Sequence, residues 1–289
     1  MKNYRFIPPK NTYFQKIMAS WINSAKWQDA RYRLFSRLPY LKMKSDAADI
    51  VYMNWVVPTE LIKLNLSHFI PKGMTLIERD GLTILTILTY QHKHFGPKIA
   101  GPFRRLFPSP QQSNWRFYLD YSNQKHQKRT VIFIKNLMNS ALYTYITRLF
   151  TDVLPTHLPN QFSHLVTDKY IATEIKAGAG SASEMSFLGI IEQNYNLPSE
   201  FHSFFNTWED AMKYICLQNS AISVGHSVSF IAEAEIKLPI RIEEIISVKA
   251  VDYIPGELLV KLGANALPFC FLVKNVEFEV LSEKRIDVS

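Results

Sequence analysis

The sequence predicts a mixed α+β chain built on one closed or nearly closed antiparallel β-barrel, with flanking helices and an N-terminal helical arm. Three observations lead there. Many short, β-branched or alternating runs are separated by turn residues; few of them are joined by helical crossovers; and helical apolar spacing dominates before residue 40. At 289 residues, 47% apolar and 13% aromatic, the chain can bury one large core. A single domain over residues 46–289, preceded by an arm over residues 1–45, is the simplest organisation.

The elements follow in order. After Asn11 or Thr12, either suited to cap a helix, apolar residues recur at Phe14, Ile17, Met18, Trp21, Ile22 and Ala25. The pattern continues less regularly through Tyr32, Leu34, Phe35 and Leu38, with room for a break near residues 26–28, until Pro39 stops it. Residues 50–57 read as a strand and 58–66 as a short helix. Residues 74–78 and 82–90 form a hairpin whose turn is supplied by Asp80-Gly81. The Gly- and Pro-containing stretch 96–112 is a loop too long to be an idle connection. Strands are expected at 114–121 and 130–134, a helix at 140–152, and strands at 163–167 and 170–177. A flexible turn then covers 177–183, a helix 208–216, and strands 227–237, 245–253 and 269–281.

Charge is placed unevenly. The net charge is +8, yet residues 1–45 carry ten Lys/Arg and one acid, Asp29, for +9, which leaves −1 for the rest. A near-neutral body with a basic arm is not a protein built to coat nucleic acid, so no nucleic-acid partner is expected. The arm instead has the apolar, aromatic and basic content to pack against the barrel or a second subunit, to lie on an anionic membrane surface, or to meet an acidic macromolecular partner. Cys216 and Cys270 lie among apolar residues and read as buried, inert thiols. The longest apolar run, residues 82–90, is far below the ~20 needed to span a bilayer, and the N-terminus has no apolar signal core. The expectation is a cytoplasmic, bacterial protein.

Five landmarks occur in sequence: Tyr52-Met53-Asn54-Trp55-Val56-Val57-Pro58, Ile70-Pro71-Lys72-Gly73-Met74, Asp80-Gly81 opening a strand, Asn114-Trp115-Arg116-Phe117-Tyr118, and Arg148-Leu149-Phe150 ahead of Leu154-Pro155. In that order and spacing, the chain resembles the acetoacetate decarboxylase-like superfamily over residues 46–289, most nearly its bacterial branch labelled only as a domain of unknown function. The resemblance implies a β-barrel core with flanking helices and an internal pocket. Acetoacetate decarboxylase itself works through a Schiff-base lysine activated by a second lysine beside it. That pair follows a proline shortly after the Arg. Here the stretch from Arg148 to Pro159 holds no lysine, and the chain has no Lys-Lys pair. Classical decarboxylase activity is therefore not expected.

Several side chains could still carry chemistry. Asn114, Arg116 and Tyr118 share one strand face, with Trp115 and Phe117 on the other. Facing a pocket, the polar three could hold a carboxylate, since a guanidinium forks onto one; otherwise Arg116 pairs with Asp120 or Asp152. Arg148 either joins that ligand set or clamps its helix end. Lys135 closes the apolar run 131–134; alternation turns it inward with Val131 and Phe133, or it is an exposed strand end. His157 stands where the decarboxylase has its lysines and is the one candidate general acid or base. His92 and His94 have metal-ligand spacing but need a third ligand, such as His157 or Asp152, brought by folding. Glu233/Glu235 and Glu277/Glu279 place carboxylates on one strand face, as a glycosidase pair or as a solvated barrel wall. No phosphate-cradling or nucleophile-elbow motif is present, and neither a metal nor a cofactor is expected. The leading expectation is a pocket for a small carboxylate-bearing or apolar molecule. The alternatives are a decarboxylase, dehydratase or aldolase acting on a keto acid through Lys135 or His157, and a membrane- or partner-associated protein acting through the arm.

Overall fold

Long strands buried on both faces carry the architecture. The computed structural model describes residues 5–10, 12–120, 128–225 and 230–287. Its helices and strands are, in order, α1 (Tyr13–Ile22), α2 (Ala25–Phe35), β1 (Met43–Pro58), α3 (Thr59–Leu66), β2 (Leu82–Pro97), β3 (Gln111–Tyr118), β4 (Thr130–Met138), α4 (Ala141–Phe150), β5 (Thr156–His157), β6 (Gln161–Val166), β7 (Tyr170–Lys176), β8 (Met185–Ile191), α5 (Trp208–Cys216), β9 (Ser220–Val224), β10 (Phe230–Lys237), β11 (Ile246–Pro255), α6 (Glu257–Lys261) and β12 (Phe269–Asp287).

Seven strands close a barrel in the order β1-β2-β3-β4-β9-β10-β12 and back to β1. All neighbours are antiparallel except β4 and β9, which run parallel, so the closed barrel is mixed. β11, β8, β7 and β6 extend the sheet from β12, and β5 adds to β4. Register shifts between β1 and β2, β3 and β4, and β10 and β12 insert extra residues. Such bulges supply the local bend and twist that closure needs.

Two apolar clusters explain why strands such as 82–90 read as continuous rather than alternating runs. Met53, Trp55, Ile87, Trp115, Phe117, Ile134 and Leu272 pack on one side against β7, β8, α3 and α6. Tyr52, Leu88, Tyr118, Phe133 and Phe271 pack on the other against Phe201 and the α5 residues Met212, Ile215 and Cys216. Both cysteines are free and buried.

Several expected elements change. The arm is two helices, broken at Asn23–Ser24 rather than at 26–28; Asn23 uses its side-chain amide to pair with both backbone groups of Phe6. Thr12 caps α1, and Asn11 lies outside the described residues. β1 begins at Met43, seven residues before the apolar run. Residues 74–78 make only a bridge, Leu76 to Leu119, although Asp80 and Gly81 both take the left-handed backbone of the expected turn. Part of the 96–112 loop is a 3-10 segment, Lys98–Leu106. β8, β9 and α6 were not foreseen. Of the strand expected at 227–237, residues 227–229 fall outside the described residues, as does residue 121 of the strand expected at 114–121.

The arm is locked to the barrel by charge. Arg31 of α2 reaches Asp152, which also accepts from Nε of Arg285 on β12 at 2.8 Å; all three side chains are nearly inaccessible. Removing the carboxylate from between the two guanidiniums leaves Arg31 without its ion-pair partner and Arg285 with only the more distant, exposed Asp29 at 3.7 Å. Asp152→Asn is therefore expected to cost about 3–5 kcal/mol in urea unfolding; a loss below about 1 kcal/mol would contradict this reading of the junction.

Candidate functional site

The site starts from a register shift. Trp115 pairs with Lys135, but Arg116 pairs with Phe133, so Ile134 is the extra residue on β4. Alternation from Val131 and Phe133 would have sent Lys135 to their side. The bulge instead places it with its cross-strand partner Trp115, on the same side as Ile132 and Ile134. Lys135 is thus neither an exposed strand end nor a companion of Phe133. It is 7% exposed, at the base of a cleft of about 310 Å³. Leu66, Phe69, Ile134, Ala182 and Leu258 give the cleft apolar walls, and the exposed Glu257–Lys261 pair stands at its mouth.

Burial, aided by the nearby positive charge of Arg148, lowers the Lys135 amine from 10.5 to about 8. Among the described residues, Nζ donates one hydrogen bond, to the Ser181 carbonyl at 3.0 Å. Ser181 therefore organises the site. Its hydroxyl meets Nδ1 of His157 at 2.6 Å, and its backbone N–H donates to the carbonyl of Ile7 in the arm. Residues 177–183 are consequently a pinned loop, not the flexible turn the composition implied. Gly180 is needed there: a Cβ would sit 2.8 Å from the Ile7 carbonyl oxygen.

Arg148 donates to the carbonyls of Thr156 and Pro155 and to Nε2 of His157, with its guanidinium over the Phe6 ring. Because Arg148 can only donate, His157 Nε2 is the acceptor and Nδ1 carries the proton toward Ser181. Burial and the charges of Lys135 and Arg148 hold the His157 imidazole well below its ordinary 6.5. The imidazole is bonded at both nitrogens, does not line the cleft, and braces Ser181. Arg148 makes the helix-end clamp that was one of its two expected roles.

The polar strand face lies elsewhere. Asn114, Arg116 and Tyr118 point to the side covered by α5, not toward the Lys135 cleft. Arg116 donates to the Ile215 carbonyl at 2.9 Å and sits against the rings of Tyr52 and Tyr118; it pairs with neither Asp120 nor Asp152. Tyr118 donates to Thr86, and Asn114 bonds the Tyr90 hydroxyl. These three are internal cross-links of the barrel, and burial pushes the Tyr118 phenol up.

The histidine pair is separated by its backbone. His94 takes a left-handed φ of 55° and leaves the face of His92. His92 is stacked on Phe95 and bonded through both ring nitrogens, to Ser45 and Gln112, and burial lowers it to about 4. His94 contacts Asp46. Among the described residues, no three His, Cys, Asp or Glu side chains converge as a metal site would require. Glu233 is paired with Lys284, and Glu279 with Lys98.

No protein-family model matches the sequence, and no curated protein does. Solved structures do. An acetoacetate decarboxylase-like enzyme from Sphingomonas wittichii RW1 superposes with a TM-score of 0.55 at 7% identity, covering 87% of this chain and 95% of the other. The enduracididine biosynthesis enzyme MppR, complexed with pyruvate, gives 0.55 at 10% identity, covering 87% and 93%. Acetoacetate decarboxylase from Legionella pneumophila gives 0.52 at 8% identity, covering 86% and 90%. The chain has the acetoacetate decarboxylase-like fold. At these identities the likeness fixes the fold and nothing finer.

The lowered Lys135 amine has a stability consequence. The unfolded chain takes up a proton near 10.5 and the folded one only near 8, so the penalty on the native state builds as pH falls from 10.5 to 8 and is complete below 8. Lys135→Met is expected to raise stability by about 1–3 kcal/mol at pH 6–7, with the gain fading toward pH 10.5. A destabilised variant at pH 6–7 would show the amine to be a structural strut.

Proposed function

We propose that the cleft at Lys135 receives a small keto acid or related carbonyl compound, and that the Lys135 amine attacks its carbonyl carbon. The observation that carries this reading is the buried amine held near pKa 8 in the wall of an open cleft of mixed lining. At pH 7 about a tenth of it is neutral, against well under a thousandth for an ordinary lysine. One N–H given to Ser181 fixes the nitrogen and leaves its lone pair for the ligand. Attack forms a carbinolamine; uptake of a proton from solvent and loss of water give an iminium whose cationic nitrogen draws electrons from the neighbouring bond. Decarboxylation, dehydration and aldol cleavage all begin from that species. MppR, with the same fold, has been seen with pyruvate, which supports a ligand of this class.

In this reading Thr156 and His157 occupy the place of the decarboxylase lysine pair, and the nucleophile comes from the adjacent strand. Arg148 then supplies the fixed positive charge that a second lysine supplies in acetoacetate decarboxylase. A second reading is favoured by the same Ser181 bond: the protonated amine stays in place and pairs with a ligand carboxylate without covalent chemistry.

Borohydride reduction in the presence of pyruvate, followed by intact-mass and peptide mapping, separates the two. The proposal expects a reduced adduct on Lys135 that Lys135→Gln abolishes. Thermal protection by pyruvate with no adduct on any lysine favours non-covalent binding, and an adduct on a different lysine overturns the assignment.

A further inference from the structure

Three adjoining segments combine exposed apolar side chains with almost no acids of their own, although Lys98 and Arg104 are paired with Glu279 of β12 and Asp46 of β1. On the 3-10 segment, Ile99, Phe103 and Leu106 are 71–87% exposed, thrown outward around the Gly101–Pro102 kink and accompanied by Lys98 and Arg105. Along α4, Leu142, Ile146 and Phe150 form an exposed stripe at four-residue spacing. The arm adds Tyr13, Phe14, Trp21, Trp27 and Leu34, also exposed.

These elements adjoin. Phe35 packs on Phe150 with ring centroids 5.3 Å apart, and Phe14 meets Tyr145 at 6.1 Å. The Tyr143 hydroxyl donates to the Phe95 and Pro108 carbonyls, holding α4 to the strand end and loop that flank the 3-10 segment. The Lys98 N–H donates to the Lys42 carbonyl, joining that segment to the end of the arm. Beside α1, a groove of about 590 Å³ gathers Arg5, Lys10 and Lys16 over Phe6, Ile7 and Ala19. Across residues 5–45, 96–110 and 139–151 the one acid is Asp29, which lies 3.7 Å from Arg285.

Three occupants can be weighed on charge and chemistry. A second copy would set one basic arm against another, since an isologous contact matches a patch to itself and this patch has almost no acids to offer. A nucleic acid would answer the charge but leave the aliphatic tips of Ile99 and Leu106 in water. An anionic bilayer answers both, with phosphates for the cations and an acyl boundary for the apolar side chains.

We propose that α1, α2, the outer stripe of α4 and residues 98–106 form a docking surface for an anionic phospholipid membrane, with Arg5, Lys10 and Lys16 cradling a headgroup phosphate. The chain lies on the surface and does not cross it with a helix; among the described residues no helix is long and apolar enough to span.

The test is co-sedimentation of the full chain with phosphatidylcholine vesicles, with and without phosphatidylglycerol. Binding is expected only to the phosphatidylglycerol vesicles, with a blue shift of Trp21 and Trp27 emission, and it should fall steeply as salt is raised through about 0.5 M. Two variants probe the two halves of the surface: Ile99→Ser with Phe103→Ser, and Lys10→Glu with Lys16→Glu. Each changes exposed residues, should melt like the wild type, and is expected to weaken binding about tenfold or more. Lys135→Met should bind as the wild type does, which keeps this outcome independent of the cleft. Equal sedimentation with both vesicle types, no sedimentation at all, or a self-association or nucleic-acid complex that the same variants abolish would overturn the proposal.

Discussion

The burial of one amine organises the functional half of this molecule. Lys135 is inside because a single extra residue on β4 changes which side of the sheet it faces. Among the described residues no carboxylate pairs with a cation in that position, and burial favours the neutral amine. The surroundings keep it there: the side chain is almost wholly buried, Arg148 adds a second positive charge nearby, and Ser181 takes a hydrogen bond from it. Bulges beside sites recur because they re-aim a side chain without disturbing the rest of a ladder. On either side of this one, β3 and β4 pair regularly.

Ser181 extends that arrangement outward. It joins Lys135 and His157 on one side and Ile7 of the arm on the other, so the N-terminal segment lies two hydrogen bonds from the cleft. The arm is held again at its second helix by the Arg31–Asp152–Arg285 set. Close by, Glu283 accepts from the Asp152 N–H, and burial raises its carboxyl to about 7. A folded value above the unfolded one means this group's contribution is complete below about 4.5 and disappears as pH rises through 7. The arm is thus seated by charge and hydrogen bonding at two points while presenting its aromatic side chains outward.

Much of the fold was legible in the sequence because it rests on local signals. Asp80-Gly81 requires a left-handed turn, Pro58 opens α3, and the spacing of Trp208–Cys216 is helical. The barrel followed from strand density and from landmarks around Trp55, Arg116 and Arg148. What stayed hidden depends on contacts distant in sequence. Nothing in residues 131–135 announces a bulge, so strict alternation put Lys135 with Phe133 when it belongs with Trp115. β8 was obscured by Gly189, which is required because a Cβ would strike the Phe187 ring and Val248 at 2.8 Å. The polar face of Asn114, Arg116 and Tyr118 resembled a ligand site for the reason it serves as a buried cross-link: both uses need donors and acceptors in fixed geometry. Ser181 offered one cue, a small polar residue within a glycine-containing run, but its partners at Ile7, Lys135 and His157 come from three separate parts of the chain.

The central claim is that the Lys135 amine loses its proton near pH 8, far below an ordinary lysine. Its titration can be followed at the single residue by the pH dependence of its acetylation rate under trace acetic anhydride, read by peptide mass. The structure predicts a midpoint at about 8. A midpoint near the ordinary 10.5 would contradict the account, because the cleft would then hold a solvated cation and no nucleophile.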